Sequence, residues 1–280
     1  MLRESVVAGR FYPEDKEELN KVIDAMLSEA KSFEQKNIKA IIVPHAGYVF
    51  SAPIASVAYK TLHKEYKNVF LLGSSHHVNF NGVSIYNQED YKTPLGVVQT
   101  NKVIIKDLIE KNSFITYEPK AHTKEHTLEV QLPFLQHIYG NKLKIVPIIM
   151  ATSDLQTITN TAKALQDYFN DEENLFVIST DLSHYPSYDD ANIIDLKTID
   201  GILSNSVEKF IDTIVKNEDA QIANLSTSAC GWSSILTLLY LTQNKQYKYE
   251  LLEYKNSGDT PKYGSKDRVV GYGAIRIYNG

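Results

Sequence analysis

The chain has 280 residues, of which 43% are hydrophobic and 22% charged, a balance that suits one large folded domain and excludes long disorder. Its 29 Lys and Arg against 34 Asp and Glu give a net charge of −5, which makes nucleic acid a poor default partner. The single cysteine, Cys230, excludes an intrachain disulfide; the opening MLRESVVAGRFYPEDKEEL lacks an apolar signal core, and no apolar run is long enough to span a bilayer, so a cytoplasmic protein with no membrane partner is expected.

In DKEELNKVIDAML, Leu19, Val22, Ile23, Met26 and Leu27 fall at helical spacing. Residues 39–44, KAIIVP, form a short apolar run closed by Pro44 and predict a buried strand. A helix follows over SAPIASVAYKTL, with Ser51 as N-cap and Pro53 in its first turn. Residues 68–73, NVFLLG, predict the next buried strand. Residues 82–86 and 96–100 read as a hairpin pair or short edge strands around the turn-rich NQEDYKTPLG.

Helices are then expected over 101–112 and over 126–139, the second begun or interrupted near Pro133. A strand over 143–150, a helix over 153–170 and a strand over 174–180 continue the alternation. Two or three helices are expected over 189–203, 206–217 and 231–244, and two strands over 247–256 and 268–279. Alternating strands and helices predict an α/β fold: a single layered domain over 1–280, with a mostly parallel central sheet flanked by helices and antiparallel strands at its edges.

Three apolar runs end in chemistry-bearing residues. AIIVP leads to His45, VFLLG to His76 and His77, and LFVIST to Asp181 and His184. In parallel α/β sheets the ligand crevice lies beyond the carboxyl ends of the strands. His45, His184 and either His76 or His77 are therefore expected to face one cleft.

Of the eight histidines, His63 and His137 fall in plain helical patterns and read as surface or packing residues. His122 and His126 lie before and at a helix start. His126 and Glu129, three apart, suit a metal pair or a carboxylate-oriented imidazole, and equally an ordinary helix-start pair. Cys230 precedes a strongly apolar helix, where the dipole favours a thiolate ligand or nucleophile; a small buried core residue fits the position as well. Imidazole and thiolate donors suit iron, copper or zinc, a further histidine can move protons, and Asp181 can orient a histidine. No GxGxxG after a strand, P-loop, GxSxG, CxxC or HExxH occurs, so no nucleotide cofactor is expected.

The motifs VPHAGYVFS, LLGSSHHV, EHTLEVQLPFL, VISTDLSHY, ACG and GYGAIRIY, with RESVVAGRFYP at the start, resemble the Memo family, also called the AmmeMemoRadiSam system protein B family. The resemblance runs through almost the whole chain in order. It implies a fold related to class III non-haem-iron extradiol dioxygenases, in which two histidines and a glutamate bind iron. Carried over by motif, His45 and His76 are the histidine ligands, and Cys230 stands where the dioxygenases have their carboxylate. His184 corresponds to the acid/base histidine, with Asp181 beside it; His77 and His126 line the pocket. The cysteine departs from the dioxygenases, so ring cleavage is not carried over. The resemblance implies Fe(II) or copper, with zinc as a further fit, and a redox role on an unidentified small molecule or peptide. AMMECR-type and radical-SAM proteins are its implied partners.

Three functions compete on these grounds. The first is a metal-dependent redox or oxygen-using enzyme. The second is a metal-holding or partner-binding protein without turnover. The third is a hydrolase using metal-bound water or Cys230 as nucleophile.

Overall fold

The computed structural model describes residues 2–86 and 89–280. In chain order its elements are β1 (Leu2–Arg3), α1 (Lys16–Glu29), β2 (Ile38–Val43), α2 (Tyr48–Tyr59), β3 (Asn68–Ser74), β4 (Gly82–Ile85), β5 (Asp90–Thr93) and β6 (Gly96–Thr100). There follow α3 (Lys102–Lys111), β7 (Ile115–Thr116), α4 (Pro119–Thr123), α5 (Leu132–Tyr139), β8 (Lys144–Ala151), α6 (Leu155–Asn170) and β9 (Asn174–Ser179). The chain ends with α7 (Tyr188–Leu203), α8 (Val207–Asp219), α9 (Trp232–Thr242), β10 (Tyr247–Asn256) and β11 (Gly271–Asn279). Among the described residues no helix is long and apolar enough to cross a membrane.

The strands join one sheet in the order β1-β5-β6-β8-β3-β9-β2-β11-β10. Its centre is parallel: β6, β8, β3, β9 and β2 all run one way. β11 pairs antiparallel with β2 and β10 with β11, so the chain's last two strands close one edge. This is the layered α/β domain that the alternation predicts.

Successive side chains of a strand point to opposite faces, and both faces here are covered. Ile41, Val43, Val69, Leu71, Leu175 and Val177 enter one core, with α1, α2 and α5. Ala40, Ile42, Phe70, Leu72, Phe176 and Ile178 enter the other, with α6 and α9. That is why these strands read as unbroken apolar runs. Asp15 caps α1 by accepting from the backbone N–H groups of Glu17 and Glu18, and Asp154 caps α6 in the same way.

Several local expectations are corrected. α2 starts three residues early, at Tyr48 with Gly47 as N-cap. Ser51 lies inside it and donates to the Ala46 carbonyl, and Pro53 sits deeper than the first turn. Residues 82–86 and 96–100 do not form a hairpin with each other. β4 and β6 occupy successive stretches of the same edge of β8, one antiparallel and one parallel. The hairpin is β5–β6, closed where Thr93 pairs with Gly96, so the expected turn contains a strand; residues 87–88 of that turn lie outside the described residues. Over 126–139 the α-helix begins only at Leu132, preceded by a 3-10 turn over Glu129–Gln131. His63 falls in the exposed loop after α2 rather than in a helix.

Candidate metal centre

β9 lies between β3 and β2, so three strand ends stand side by side at the carboxyl edge of the sheet. Each leads into a loop carrying one of the predicted motifs.

His45 follows β2 through Pro44 and is buried. Its backbone N–H donates to Asp181 Oδ1 at 2.8 Å. Its Nδ1 lies 3.0 Å from Ser179 Oγ. That hydroxyl donates to the Thr127 carbonyl at 2.7 Å and accepts from Gln131 Nε2 at 2.9 Å. The Ser179 proton is thus committed, and Ser179 can only accept from His45. In the neutral ring Nδ1 therefore carries the proton and Nε2 the lone pair. Nε2 lies 3.4 Å from Cys230 Sγ.

Cys230 enters the site from the loop before α9. Its sulfur accepts from the Asp181 backbone N–H at 3.3 Å. The next residue, Gly231, has no space for a side chain: a Cβ there would lie 2.7 Å from Thr180 Cβ. The close approach lets Gly231 N–H donate to Thr180 Oγ1 at 2.9 Å and seats the thiol against the end of β9. Burial would raise the Cys230 thiol, but His45 and His76 overcome it and hold the group well below its ordinary value.

His76 follows β3 through Ser75, and its side chain is 28% exposed. Its Nδ1 lies 3.2 Å from Glu125 Oε1 and its backbone N–H donates to Glu125 Oε2 at 2.6 Å. Burial opposes a charge on His76, yet Cys230 and Glu125 push it up to about 10. Burial also works against ionised Glu125, but His76 draws it down to about 2. His45 is raised in the same sense by Asp181 and Cys230 against its burial. Burial raises Asp181.

His45, His76 and Cys230 each offer a ligand atom, and the three atoms lie within 4.8 Å of one another. Donors around a tetrahedral metal ion sit about 3.3–3.8 Å apart, so modest contraction would close this set on an ion. Two imidazoles and one thiolate suit iron, copper or zinc.

The remaining predicted residues fall around this group. His126 packs its ring 5.5 Å from that of His45, 5.0 Å from His76 and 5.9 Å from His77. Burial and the neighbouring His45 hold His126 down to about 3, which keeps it neutral. His77 is exposed beyond it. Phe11, from the N-terminal segment, closes the His126 side at 5.0 Å, a contact no sequence spacing announces. His184 follows β9 on the rim. Its Nδ1 is held by the Leu182 carbonyl at 3.0 Å, which leaves Nε2 free. Asp181 does not make that bond; its carboxylate serves His45, with Oδ2 4.0 Å from His45 Nε2.

The suggested His126–Glu129 pair does not form. His126 lies before the 3-10 turn, and the carboxylate beside it is Glu125, whose Oε1 is 3.3 Å from its Nδ1. Glu129 is turned the other way, onto Arg3, Tyr12 and the backbone of Val6 and Val7. His122 is buried in α4, between Ser84 and Tyr91. His137 ties α5 to Asp24 and Asn20 of α1, a packing role as expected.

Comparison with known proteins places the chain in a wider group. The family described as "Memo-like protein" matches residues 3–276. A MEMO1 family protein of Nitrosopumilus maritimus is 32% identical over 284 residues, covering 99% of this chain and 100% of its own. One from Sulfurisphaera tokodaii is 33% identical, covering 99% of each. Among solved structures, an uncharacterized protein, JW3007, of Escherichia coli K12 aligns with a TM-score of 0.53 at 13% identity, over 83% of this chain and 98% of that one. That likeness speaks to the fold alone.

Proposed function

The chain belongs to the Memo family, and from that premise we propose that it holds a redox-active metal, Fe(II) or copper, between His45, His76 and Cys230 for an oxygen-dependent or other redox reaction on a small organic molecule. The observation that carries this reading is the convergence of three donors from three separate loops, with the Nδ1 atoms of both imidazoles already engaged elsewhere. The bound metal would supply electron transfer and activation of oxygen or substrate.

The protein's own residues would do the rest. Asp181 holds the His45 backbone and so fixes where that imidazole stands. His184, anchored through Nδ1, presents Nε2 to take up or release a proton at the cleft. His77, His126 and Phe11 line the space beside the donors and limit water there. Cytoplasmic residence and partnership with AMMECR-type and radical-SAM proteins belong to the same proposal and rest on the family resemblance.

The test is metal analysis of protein purified without oxygen, with His76→Ala and Cys230→Ala alongside. One equivalent of iron or copper, lost in both variants, is expected, followed by oxygen uptake on admission of air. Metal that survives both changes would sink the assignment. Metal bound tightly with no oxygen uptake or thiol oxidation would favour the metal-holding reading.

A further inference from the structure

We infer that Glu125 is the positioning residue of this centre: its carboxylate grips His76 at two points, the backbone N–H and ring Nδ1, and so leaves Nε2 as the metal-facing lone pair. The inference rests on the metal reading above and adds a residue that the sequence motifs do not assign.

The geometry is specific. Oε2 accepts from His76 N–H at 2.6 Å, and Oε1 meets His76 Nδ1 at 3.2 Å. Oε1 also accepts the backbone N–H groups of His126 at 2.9 Å and Thr127 at 3.1 Å. The Glu125 side chain is only 2% exposed. Four N–H groups thus converge on one buried carboxylate, which has about four lone-pair positions. A neutral acid would have to fit its own O–H proton among these donors, whereas a carboxylate meets all four as acceptor.

A second observation shows why Glu125 can reach. β3 runs against the 125–128 loop so closely that a Cβ at Gly73 would lie 2.8 Å from Leu128 Cδ2 and Thr127 Oγ1. Beyond that contact the chain is loop, with His76 and His77 exposed. Without the clamp, the His76 ring could rotate and adopt either tautomer. A carboxylate behind a metal-binding imidazole fixes both.

Glutamine cannot replace it. If its oxygen takes the Oε1 place, its NH2 meets the His76 N–H. If its oxygen takes the Oε2 place, its NH2 faces Nδ1, and the ring answers by moving its proton to Nε2. That tautomer has no lone pair for the metal.

The test uses zinc as a diamagnetic probe and full-length protein labelled with 15N-histidine. In wild type, His76 Nδ1 is expected to carry a slowly exchanging proton both without metal and with zinc, with zinc on Nε2. In Glu125→Gln, whose NH2 must oppose either the His76 backbone N–H or the N–H groups on the Oε1 side, that proton should exchange faster and zinc affinity should fall about 10–100-fold. Glu125→Asp, which keeps the carboxylate, should recover the slow exchange in part. A bare Nδ1 in wild type, zinc bound through Nδ1, or wild-type affinity in Glu125→Gln would each overturn the inference. Should the glutamine variant fail to fold, the wild-type spectrum decides alone. Wild type with Nδ1–H but no zinc affinity would leave the grip of Glu125 standing and sink the metal reading instead.

Discussion

Glu125 and Glu129 are four residues apart, both buried, and both accept several hydrogen bonds, yet they hold different segments of the chain. Glu125 turns to the strand-end loop of His76. Glu129 turns to the N-terminal segment, where it takes Arg3, the N–H groups of Val6 and Val7, and the Tyr12 hydroxyl at 2.7 Å. One carboxylate positions a ligand, and the other fastens a strap whose Phe11 closes the site. A buried charge is retained where several donors converge on it, and its role is set by what those donors belong to.

That contrast breaks most plainly at Glu129. Glu129→Ala strands buried Arg3 without its carboxylate and should cost about 3–5 kcal/mol of stability in chemical denaturation. Its effect on zinc affinity in the folded protein should be smaller than that of Glu125→Gln. If Glu129→Ala costs less than about 1 kcal/mol, the strap is not held as described.

The next effect is at the centre itself. His76→Ala should lower metal affinity by about 100-fold or more, because it removes a donor as well as its orientation. His77→Ala, whose ring meets only the edge of His126, should change it by less than about threefold, a shift of about 0.6 kcal/mol. Equal losses in a metal titration would show that the first of the paired histidines is not the ligand.

A pH test sharpens the comparison from the strap side. His122 is buried near Arg3, and burial followed by that positive charge holds it down to about 3. An unfolded histidine titrates near 6.5, so below that pH the unfolded chain takes a proton that the folded chain refuses. The stability that His122 contributes is therefore complete above about pH 6.5 and is lost as pH falls toward 3, by about 2 kcal/mol at pH 5. His122→Gln should flatten this slope in denaturation curves. An unchanged slope would mean that His122 is not the group responsible. Tyr12→Phe, which removes one hydrogen bond to a carboxylate, should cost about 1.5–3 kcal/mol at most, less than Glu129→Ala.

Much of this was legible in the residues. Strands buried on both faces write themselves as apolar runs, so β2, β3, β8 and β9 fall where the runs predict. Their carboxyl ends identify His45, either His76 or His77, Asp181 and His184 as residues of one edge, since parallel strands point their ends the same way. The family motifs add Cys230. Other features had no such mark. Ser51 and Pro53 mimic a helix start, but α2 begins at Tyr48, because packing against the sheet outweighs capping preference. His126 and Glu129 have helical spacing, yet the 3-10 turn begins after His126 and sends the two side chains apart.

The sequence by itself determined the layered α/β class, the strand ends that bear the histidines, and the family. Local periodicity and residue chemistry encode those directly. Only the tertiary structure decided that β9 lies between β3 and β2, that Glu125 rather than Glu129 faces His76, and that Phe11 reaches the site from the far end of the chain. Those are contacts between segments distant in sequence or separated by an irregular turn. Their geometry is set by the register of the sheet and the packing of loops on it, which spacing along one chain does not carry.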